Sequence, residues 1–135
     1  MATRAHRQLT NALVRTYKVG TAVTKGKLVK LVTDDDHVTD ASAGEQGIGI
    51  ALETKTAADA DVQIAMLAGA AIIPVLVGTG GATRGSYASA VADGFTNQAV
   101  GGGTVAKHIA GLFTQSGIAG DFVGLLPCPM VTATV

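Results

Sequence analysis

The residues whose types best suit chemistry are an acidic run and a histidine, Asp34-Asp35-Asp36-His37. Carboxylate oxygens beside an imidazole could bind a metal ion such as Ca²⁺. The spacing does not match an EF-hand loop, because the glycine that such a loop needs at its sixth position is missing. The other interpretation is a solvated turn, in which the Asp side chains accept hydrogen bonds from backbone amides. We predict the turn, and no metal site.

A second candidate for chemistry is the glycine-rich segment at residues 78–85, Gly-Thr-Gly-Gly-Ala-Thr-Arg-Gly. It follows the apolar run 70–77, and an apolar strand that leads into Gly-x-Gly can bind a dinucleotide phosphate. Here Thr83 takes the place of the third glycine, and the acidic residue expected about 20 positions further on is missing. The segment therefore indicates a long glycine hairpin rather than a cofactor loop. Pro74 lacks a backbone N–H, which predicts that the preceding strand lies at a sheet edge or bulges there.

The single cysteine, Cys128, lies between Pro127 and Pro129 and cannot form an intramolecular disulfide. This fits assembly in a reducing cytoplasm. A pairing with a histidine is conceivable for His6, His37 and His108. No local motif supports such a pair, and no pattern joins a nucleophile, a base and an oxyanion site. We therefore predict that the chain is not an enzyme and that it uses no cofactor.

The composition favours a β-protein with a largely neutral surface. Gly accounts for 18 of the 135 residues, charged residues for 15% and aromatic residues for 4%. The net charge is zero, but the first 30 residues contain no acid. Their basic residues are Arg4, Arg7, Arg15, Lys18, Lys25, Lys27 and Lys30. Such a basic start can bind nucleic acid or an acidic protein surface. Because Tyr17 is the only aromatic residue among these charges, we expect no nucleic-acid binding. Because no apolar run reaches about 18 residues, we also expect no membrane span.

The elements that would position these residues are short strands. Residues 1–20 are predicted to form a basic N-terminal arm, either extended or partly helical, because Leu9, Leu13 and Tyr17 recur every four residues. Residues 21–135 are predicted to form a single β domain. Its alternating segments place Val62, Ile64 and Met66 on one inward face. Glycine and aspartate turns every 8–12 residues are typical of a small β-barrel or sandwich. The segment Pro127-Cys128-Pro129 is expected to stop the last ladder.

The β domain also contains an internal repeat, with halves at about 24–67 and 83–126. Thr24-Lys25-Gly26 recurs 59 residues later as Thr83-Arg84-Gly85, each followed by an apolar strand. At the same offset Gly44 meets Gly103, and both are predicted to lie in turns with positive φ. An offset of 60 then pairs three residues of the first copy with three of the second, Leu52, Thr54 and Asp61 with Leu112, Thr114 and Asp121. The fold class predicted is therefore an all-β barrel or sandwich of two similar strand-turn-strand halves.

Three segments of the first copy resemble the head-decoration proteins of tailed bacteriophages, also called capsid cement proteins. They are Thr24-Lys25-Gly26 with Leu28-Val29, Gly47-Ile48-Gly49-Ile50-Ala51-Leu52, and Ala60-Asp61-Val62 with Ile64. The family pattern is a Thr-x-Gly-x-x-Val start, an Ile-Gly-x-Ala-Leu strand and a Gly-Asp-x-Val-x-Val closing strand. Ala60 replaces the closing glycine, whereas Gly120-Asp121-Phe122 in the second copy keeps it. The middle strand of the second copy, His108-Ile109-Ala110-Gly111-Leu112, keeps only the outline of the pattern.

The resemblance covers about residues 20–126 and implies a structural protein on the outer surface of a phage capsid. It implies binding to the major capsid protein, bridging of its subunits and assembly in the host cytoplasm. It also implies a homo-oligomer, for which we favour a trimer and leave a dimer open. The basic arm lies outside the resemblance; from its charges we predict capsid or subunit contacts for Arg4, Arg7, Arg15 and Lys18. The alternative is a small β-sandwich binding module, for example for carbohydrate, although the chain offers few aromatic residues and no Trp.

Overall fold

The structure, a computed structural model, describes residues 13–68, 71–99 and 107–131. Across these ranges the chain forms ten β-strands and no helix. The strands are β1 (Val14–Val19), β2 (Leu28–Leu31), β3 (His37–Asp40), β4 (Gly49–Ala51), β5 (Asp61–Met66), β6 (Ile73–Leu76), β7 (Tyr87–Val91), β8 (Gly94–Asn97), β9 (His108–Phe113) and β10 (Phe122–Val131). The prediction of an all-β fold is confirmed.

Strands β1–β5, here called the first half, form a closed barrel in the order β1-β3-β2-β4-β5. Strand β1 closes it by pairing with β3 in parallel and with β5 in antiparallel orientation. The alternation in β5 places Val62 and Ile64 inside, as predicted, and Met66 packs against the same cluster. The rest of the barrel interior is made of small and β-branched residues: Val19, Val23, Val29, Val38 and Ala51. Such residues suit the narrow interior of a small barrel.

Strands β6–β10, the second half, repeat this topology. Their sheet has the order β6-β10-β9-β7-β8. A parallel bridge between Val77 and Phe95 brings its two edge strands together, just as Val19 pairs in parallel with Val38 in the first half. The repeat predicted from the sequence is therefore present as two copies of one strand arrangement.

The two halves share one hydrophobic core. Phe95, Phe113 and Leu125 of the second half belong to the same buried cluster as Leu28 and Ile50 of the first half. Buried apolar side chains contribute roughly 1.5–3 kcal/mol each to the free energy of folding. The contact between the halves is therefore part of what stabilises the fold.

The structure corrects the extent of the predicted arm. Val14–Val19 is barrel strand β1 rather than arm or helix, and Val19 is fully buried. The charges of this segment are compatible with a strand because they lie on exposed positions, whereas Tyr17 and Val19 pack against the barrel interior. Residues 1–12, with Arg4 and Arg7, lie outside the described residues.

The prediction that Pro127-Cys128-Pro129 stops the last ladder is also wrong. Strand β10 runs through this segment to Val131, with a register shift between Pro127 and Met130. A bulge takes up the two residues between them, so the missing N–H of Pro129 interrupts no pairing. Pro74 behaves as predicted, because β6 is an end strand of its sheet.

Backbone hydrogen bonds give the true register of the repeat. The offset of 59 is correct at the first turn, where Gly26 N–H donates to Ala51 O and Gly85 N–H donates to Phe113 O. These bonds make Phe113 the counterpart of Ala51, 62 residues on, so the predicted offset of 60 is wrong. Near the ends of the halves the offset is 61, because Val19 N–H donates to Ala60 O and Val77 N–H donates to Asp121 O.

Candidate functional site

The repeated turn has the same geometry in both halves. Lys27 N–H donates to Thr24 O at 3.1 Å, and Ser86 N–H donates to Thr83 O at 3.0 Å. Gly26 and Gly85 both have φ of 85°. A positive φ at the third position of a four-residue turn is characteristic of a type II turn and favours glycine there. The recurring Thr-x-Gly pattern is therefore a turn signature.

A side chain from a neighbouring strand fixes each turn. In the first half Asp40 accepts hydrogen bonds from Thr24 N at 3.0 Å and Thr24 Oγ1 at 2.8 Å. In the second half Asn97 Oδ1 accepts from Thr83 N at 2.8 Å, and Asn97 Nδ2 donates to Thr83 Oγ1 at 2.9 Å. The sequence pattern does not reveal this pair of residues. They differ in type and lie 57 rather than 59 residues apart, since the hairpin before Asn97 is two residues shorter.

A hydroxyl group from a second segment of each half binds the turn as well. Thr54 Oγ1 accepts from Lys25 N at 3.0 Å, and Ser116 Oγ accepts from Arg84 N at 3.0 Å. Each turn is therefore held both by its own backbone and by two side chains. Such a turn is a rigid platform for whatever it contacts.

In the first half this turn contacts the second half. Gly26 O accepts a hydrogen bond from Leu76 N at 2.9 Å, and Lys27 Nζ donates to Ala92 O at 3.0 Å. Lys25 Nζ lies 5.5 Å from the centre of the Phe122 ring, within the range of a cation–π interaction. A methyl group at Gly26 would approach Phe122 Cε1 to 2.6 Å and Leu76 N to 2.7 Å. Only glycine fits this contact.

A second loop of the first half extends the contact. Gly44 N–H donates to Ala90 O at 3.0 Å, and Gly44 O accepts from His108 N at 3.3 Å. Gly44 has φ of 72°, so its predicted positive φ is confirmed; Gly103 lies outside the described residues. Glu45 shapes the loop by binding Lys30 Nζ at 2.9 Å, and this hydrogen bond lowers the pKa of the Glu45 carboxyl.

In the second half the equivalent turn, residues 83–86, has no such neighbour within the described part of the chain. A methyl group at Gly85 would meet no atom within 4 Å. Gly26 is buried whereas Gly85 is exposed, and Arg84 is exposed too. Gly117 forms a β-bridge with Ala82, just before this turn. The next residue, Ile118, is 74% exposed. We call residues 83–86 the free turn.

The surface that receives the first turn and the Gly44 loop also has an exposed counterpart in the first half. We call Leu76, Ala90 and Phe122 the receiving face; the matching residues of the first half are Lys18, Leu31 and Asp61, here called the counterpart face. Leu31 is 58% exposed, whereas Ala90 is 3% exposed. Lys18 Nζ and Asp61 Oδ1 form an ion pair of 2.8 Å on the surface. Their hydrogen bond raises the pKa of Lys18 and lowers that of Asp61.

The contact residues predicted from the sequence do not form one basic cluster. Arg4 and Arg7 lie outside the described residues. Arg15 and Lys18 are both on β1, but an odd and an even position of a strand point to opposite faces. Lys18 is paired with Asp61 within the chain. Of the predicted set, only Arg15 and Lys18 can therefore be placed, and they lie on different surfaces.

The acidic run forms a turn that His37 links to a neighbouring loop. Asp36 has a positive φ of 64°. His37 Nε2 lies 2.7 Å from Asp59 Oδ1, and Nδ1 lies 2.7 Å from Asp35 O. Both partners are hydrogen-bond acceptors, so both ring nitrogens donate when the imidazole is protonated. The hydrogen bond to Asp59 is the main cause of a raised His37 pKa. Among the residues that the structure covers, no group of three potential ligands is placed to hold a metal.

The glycine-rich segment leads into the free turn. Asp93 accepts hydrogen bonds from Thr79 N at 3.0 Å and Thr79 Oγ1 at 2.7 Å, which lower the pKa of its carboxyl. Gly80 and Gly81 both have positive φ. Strand β7 follows, rather than the helix that a dinucleotide fingerprint requires. The segment is therefore a series of turns and not a cofactor loop. The predicted hairpin is wrong, because β6 and β7 on either side of it do not pair with each other.

The aromatic residues bear on the carbohydrate alternative. All five lie in the described ranges, and none is in the exposed class. Phe95 and Phe113 are buried in the core, and Phe122 is half-buried beneath Lys25. Sugar-binding platforms present exposed rings. Nothing in these positions favours a carbohydrate site.

Comparisons with known proteins give a likeness of fold. No protein-family model matches the chain, and no curated protein sequence matches it. Among solved structures, the crystal structure of the head fiber gp8.5 N base of bacteriophage phi29 is similar, with a TM-score of 0.67 and 17% sequence identity. The match covers 86% of this chain and 93% of that chain.

In the part of the chain that the structure describes, no helix could span a membrane.

Proposed function

We propose that the chain is a structural protein of a phage virion that binds the outer surface of the capsid and bridges subunits of the major capsid protein. The observation that carries the proposal is the likeness to a head fiber base, which spans nearly all of both chains. At 17% identity this likeness concerns the fold, so the role is transferred as an inference. The resemblance of the repeated segments to decoration proteins supports the same role independently.

The physical character of the chain suits this role. Only 15% of the residues are charged, which leaves a largely neutral surface for association with protein. The functional candidates are rigid turns on two fused β units rather than a cleft with a nucleophile and a base. Strand pairing and a shared core make such a unit resistant to local unfolding. These properties are those of a clamp, and the predictions of no catalysis and no cofactor agree with it.

Binding that bridges several capsid subunits needs more than one contact. A standard stable interface takes about 800 Å² from each partner. The chain exposes 6901 Å² in total, so one face of a single copy offers a limited share. Oligomerisation multiplies the contacts through effective concentration. We propose a homo-oligomer, with a trimer favoured because capsid lattices present threefold and quasi-threefold positions; a dimer is the alternative.

The test is to mix the purified chain with undecorated heads of the phage that encodes it. We expect co-sedimentation with saturable stoichiometry and added density on the outer surface in electron microscopy. Decorated heads should also resist heat better than bare heads. Heads that are already decorated serve as the control and should take up none. Failure to bind bare heads of the cognate phage would overturn the proposal.

A further inference from the structure

The two halves of the chain are joined by a one-sided contact. The turn and the Gly44 loop of the first half bind the receiving face of the second half. No such contact covers the free turn or the counterpart face among the residues that the structure describes. We propose that the free turn of one copy binds the counterpart face of a second copy, so that copies associate head to tail. This inference depends on the homo-oligomer of the proposed function and names the surfaces that form it.

The match between the two faces follows from hydrogen-bond register. The parallel pairing of Val19 with Val38 and of Val77 with Phe95 makes Lys18 the counterpart of Leu76. The bonds of Val19 N to Ala60 O and of Val77 N to Asp121 O make the next residues, Asp61 and Phe122, equivalent.

The third residue of the face follows from the repeated turn. Leu31 lies five residues after Gly26, and Ala90 lies five residues after Gly85. Lys18 and Asp61 therefore occupy the places of Leu76 and Phe122, which contact the turn inside the chain. Leu31 occupies the place of Ala90, whose carbonyl oxygen accepts a hydrogen bond from Gly44 N of the second loop. The template for the contact between copies is the contact that the chain already makes with itself.

Exposure of the uncovered surfaces supports a partner. Leu31 is 58% exposed although its counterpart Ala90 is buried. Ile118, beside the free turn, is 74% exposed. An exposed large apolar side chain at the rim of a surface that binds protein elsewhere in the same fold indicates an interface. A second copy bound in the same way would cover Leu31, as the first half covers Ala90.

Charge is complementary across the proposed contact. Within the chain, Lys25 lies over the Phe122 ring. At the equivalent positions the free turn carries Arg84 and the counterpart face carries Asp61. An arginine would thus lie over a carboxylate. The existing ion pair of Asp61 with Lys18 is exposed on both sides, 47% and 68%, so Asp61 can accept a second cation.

One bond of the internal contact cannot be copied. Leu76 N donates to Gly26 O, but Lys18 N already donates to Asp36 O in the β1–β3 pairing. The contact between copies therefore depends on side chains, chiefly on Arg84 and Asp61. It should be weaker than the internal contact, and it should weaken further with salt because exposed charges are screened. A head-to-tail contact is heterologous, so it generates a ring where the rotation closes.

The experiment compares charge reversals by sedimentation equilibrium of the full chain. Arg84→Glu and Asp61→Lys should each weaken self-association at least about tenfold, within the range of cross-interface charge pairs. The double variant Arg84→Glu with Asp61→Lys should restore association, because an ion pair forms again between positions 84 and 61 with the two charges exchanged. Lys107→Glu, a charge reversal at an exposed position outside the free turn and the counterpart face, should leave association unchanged. Unchanged melting temperatures confirm that each variant is folded.

Each other outcome contradicts the inference. A wild-type chain that stays monomeric in solution and on heads would overturn it, and so would single variants that associate normally. Loss in the single variants without recovery in the double variant would show that these residues do not face each other. The proposed function fails separately, through absent binding to bare heads. Normal head binding with unaffected self-association in the single variants would overturn this inference and leave that function standing.

Discussion

Gly26 and Gly85 have the same φ of 85° in equivalent turns, yet one is buried and the other exposed. Gly26 contacts Leu76 and Phe122 of the second half, whereas a methyl group at Gly85 would meet no atom within 4 Å. The two halves therefore have the same turn, but its surroundings differ. The first copy joins the halves, and the second copy presents the same shape on the surface.

This difference predicts unequal effects of one substitution. Gly85→Ala should lower the free energy of unfolding by about 1 kcal/mol, the cost of an L side chain at positive φ. Gly26→Ala has the same backbone strain, and its methyl group also clashes with backbone and ring atoms. The free energy of unfolding should therefore fall by about 2–4 kcal/mol. Urea unfolding of both variants measures the difference. An equal loss at the two positions would mean that Gly26 does not hold the halves together.

The residues that bind the turns should matter equally in both halves. Asp40→Ala and Asn97→Ala each leave a threonine N–H without its acceptor, at a cost of about 0.5–2 kcal/mol as for a lost cap. Asp34→Ala is the control, since it removes a carboxylate from the acidic turn and leaves both caps intact. Thermal unfolding gives the comparison. A control as costly as Asp40→Ala would show that general charge effects, and not the turn, explain the loss.

What the sequence predicts well is local, and what it misses is non-local. The alternation of Val62 and Ile64 identifies an inward face because side chains alternate along any strand. By contrast, nothing local in residues 14–19 reveals that β1 pairs with β3 and β5. Arg15 and Lys18 suggest an arm, but a barrel strand tolerates both charges because each lies at an exposed position of β1. The order and closure of the strands is a property of the whole chain.

The candidate site shows the same limit. The Thr-x-Gly turns are visible in the sequence because glycine is required at positive φ. The roles of Asp40 and Asn97 are not visible in the sequence. The two residues differ in type although both bind the turn, and the shorter hairpin places Asn97 two positions before the place expected from an offset of 59. The one-sided contact is also invisible. In this contact Leu76 is bound by the first turn, whereas its counterpart Lys18 stays exposed, and the local sequence does not show this difference.

The bonds of His37 predict a pH dependence of stability. Its folded-state pKa is raised, chiefly by the hydrogen bond to Asp59. A group with a raised folded-state pKa stabilises the fold fully below its unfolded value, about 6.5 for histidine, and loses that contribution as the pH rises through the folded value. The free energy of unfolding should therefore fall as the pH rises from about 6 through the neutral range.

Two variants test this dependence. His37→Gln and Asp59→Asn should each flatten the fall, because each removes one member of the pair; Asn also tolerates the positive φ of 66° at Asp59. The charged groups that raise the pKa of the ring are Asp59 and Asp34, and the backbone carbonyl of Asp35 adds a hydrogen bond. Denaturant unfolding at a series of pH values provides the measurement. A slope that persists unchanged in His37→Gln would assign the pH dependence to another group.

Truncation at the N-terminus separates the barrel strand from the residues before it. The sequence alone predicts that removal of residues 2–18 leaves a folded domain that binds heads weakly or no longer oligomerises. The structure changes the first part of this expectation, because the deletion removes most of β1 and with it the pairing to β3 and β5. We expect that variant to lose the cooperative unfolding of the first half. Removal of residues 2–12 keeps every described strand and should leave the melting temperature unchanged.

The shorter truncation is therefore the informative one for binding. Twelve residues can reach up to about 40 Å when extended, far enough for Arg4 and Arg7 to contact a capsid subunit or a neighbouring copy. We expect the chain without residues 2–12 to bind bare heads several-fold more weakly, with a smaller salt dependence because two arginines are gone. Arg4→Ala with Arg7→Ala in the full-length chain should reproduce the loss if the charges are its cause. Equal binding by the full-length and shortened chains would show that contacts with the capsid are made by the barrels alone.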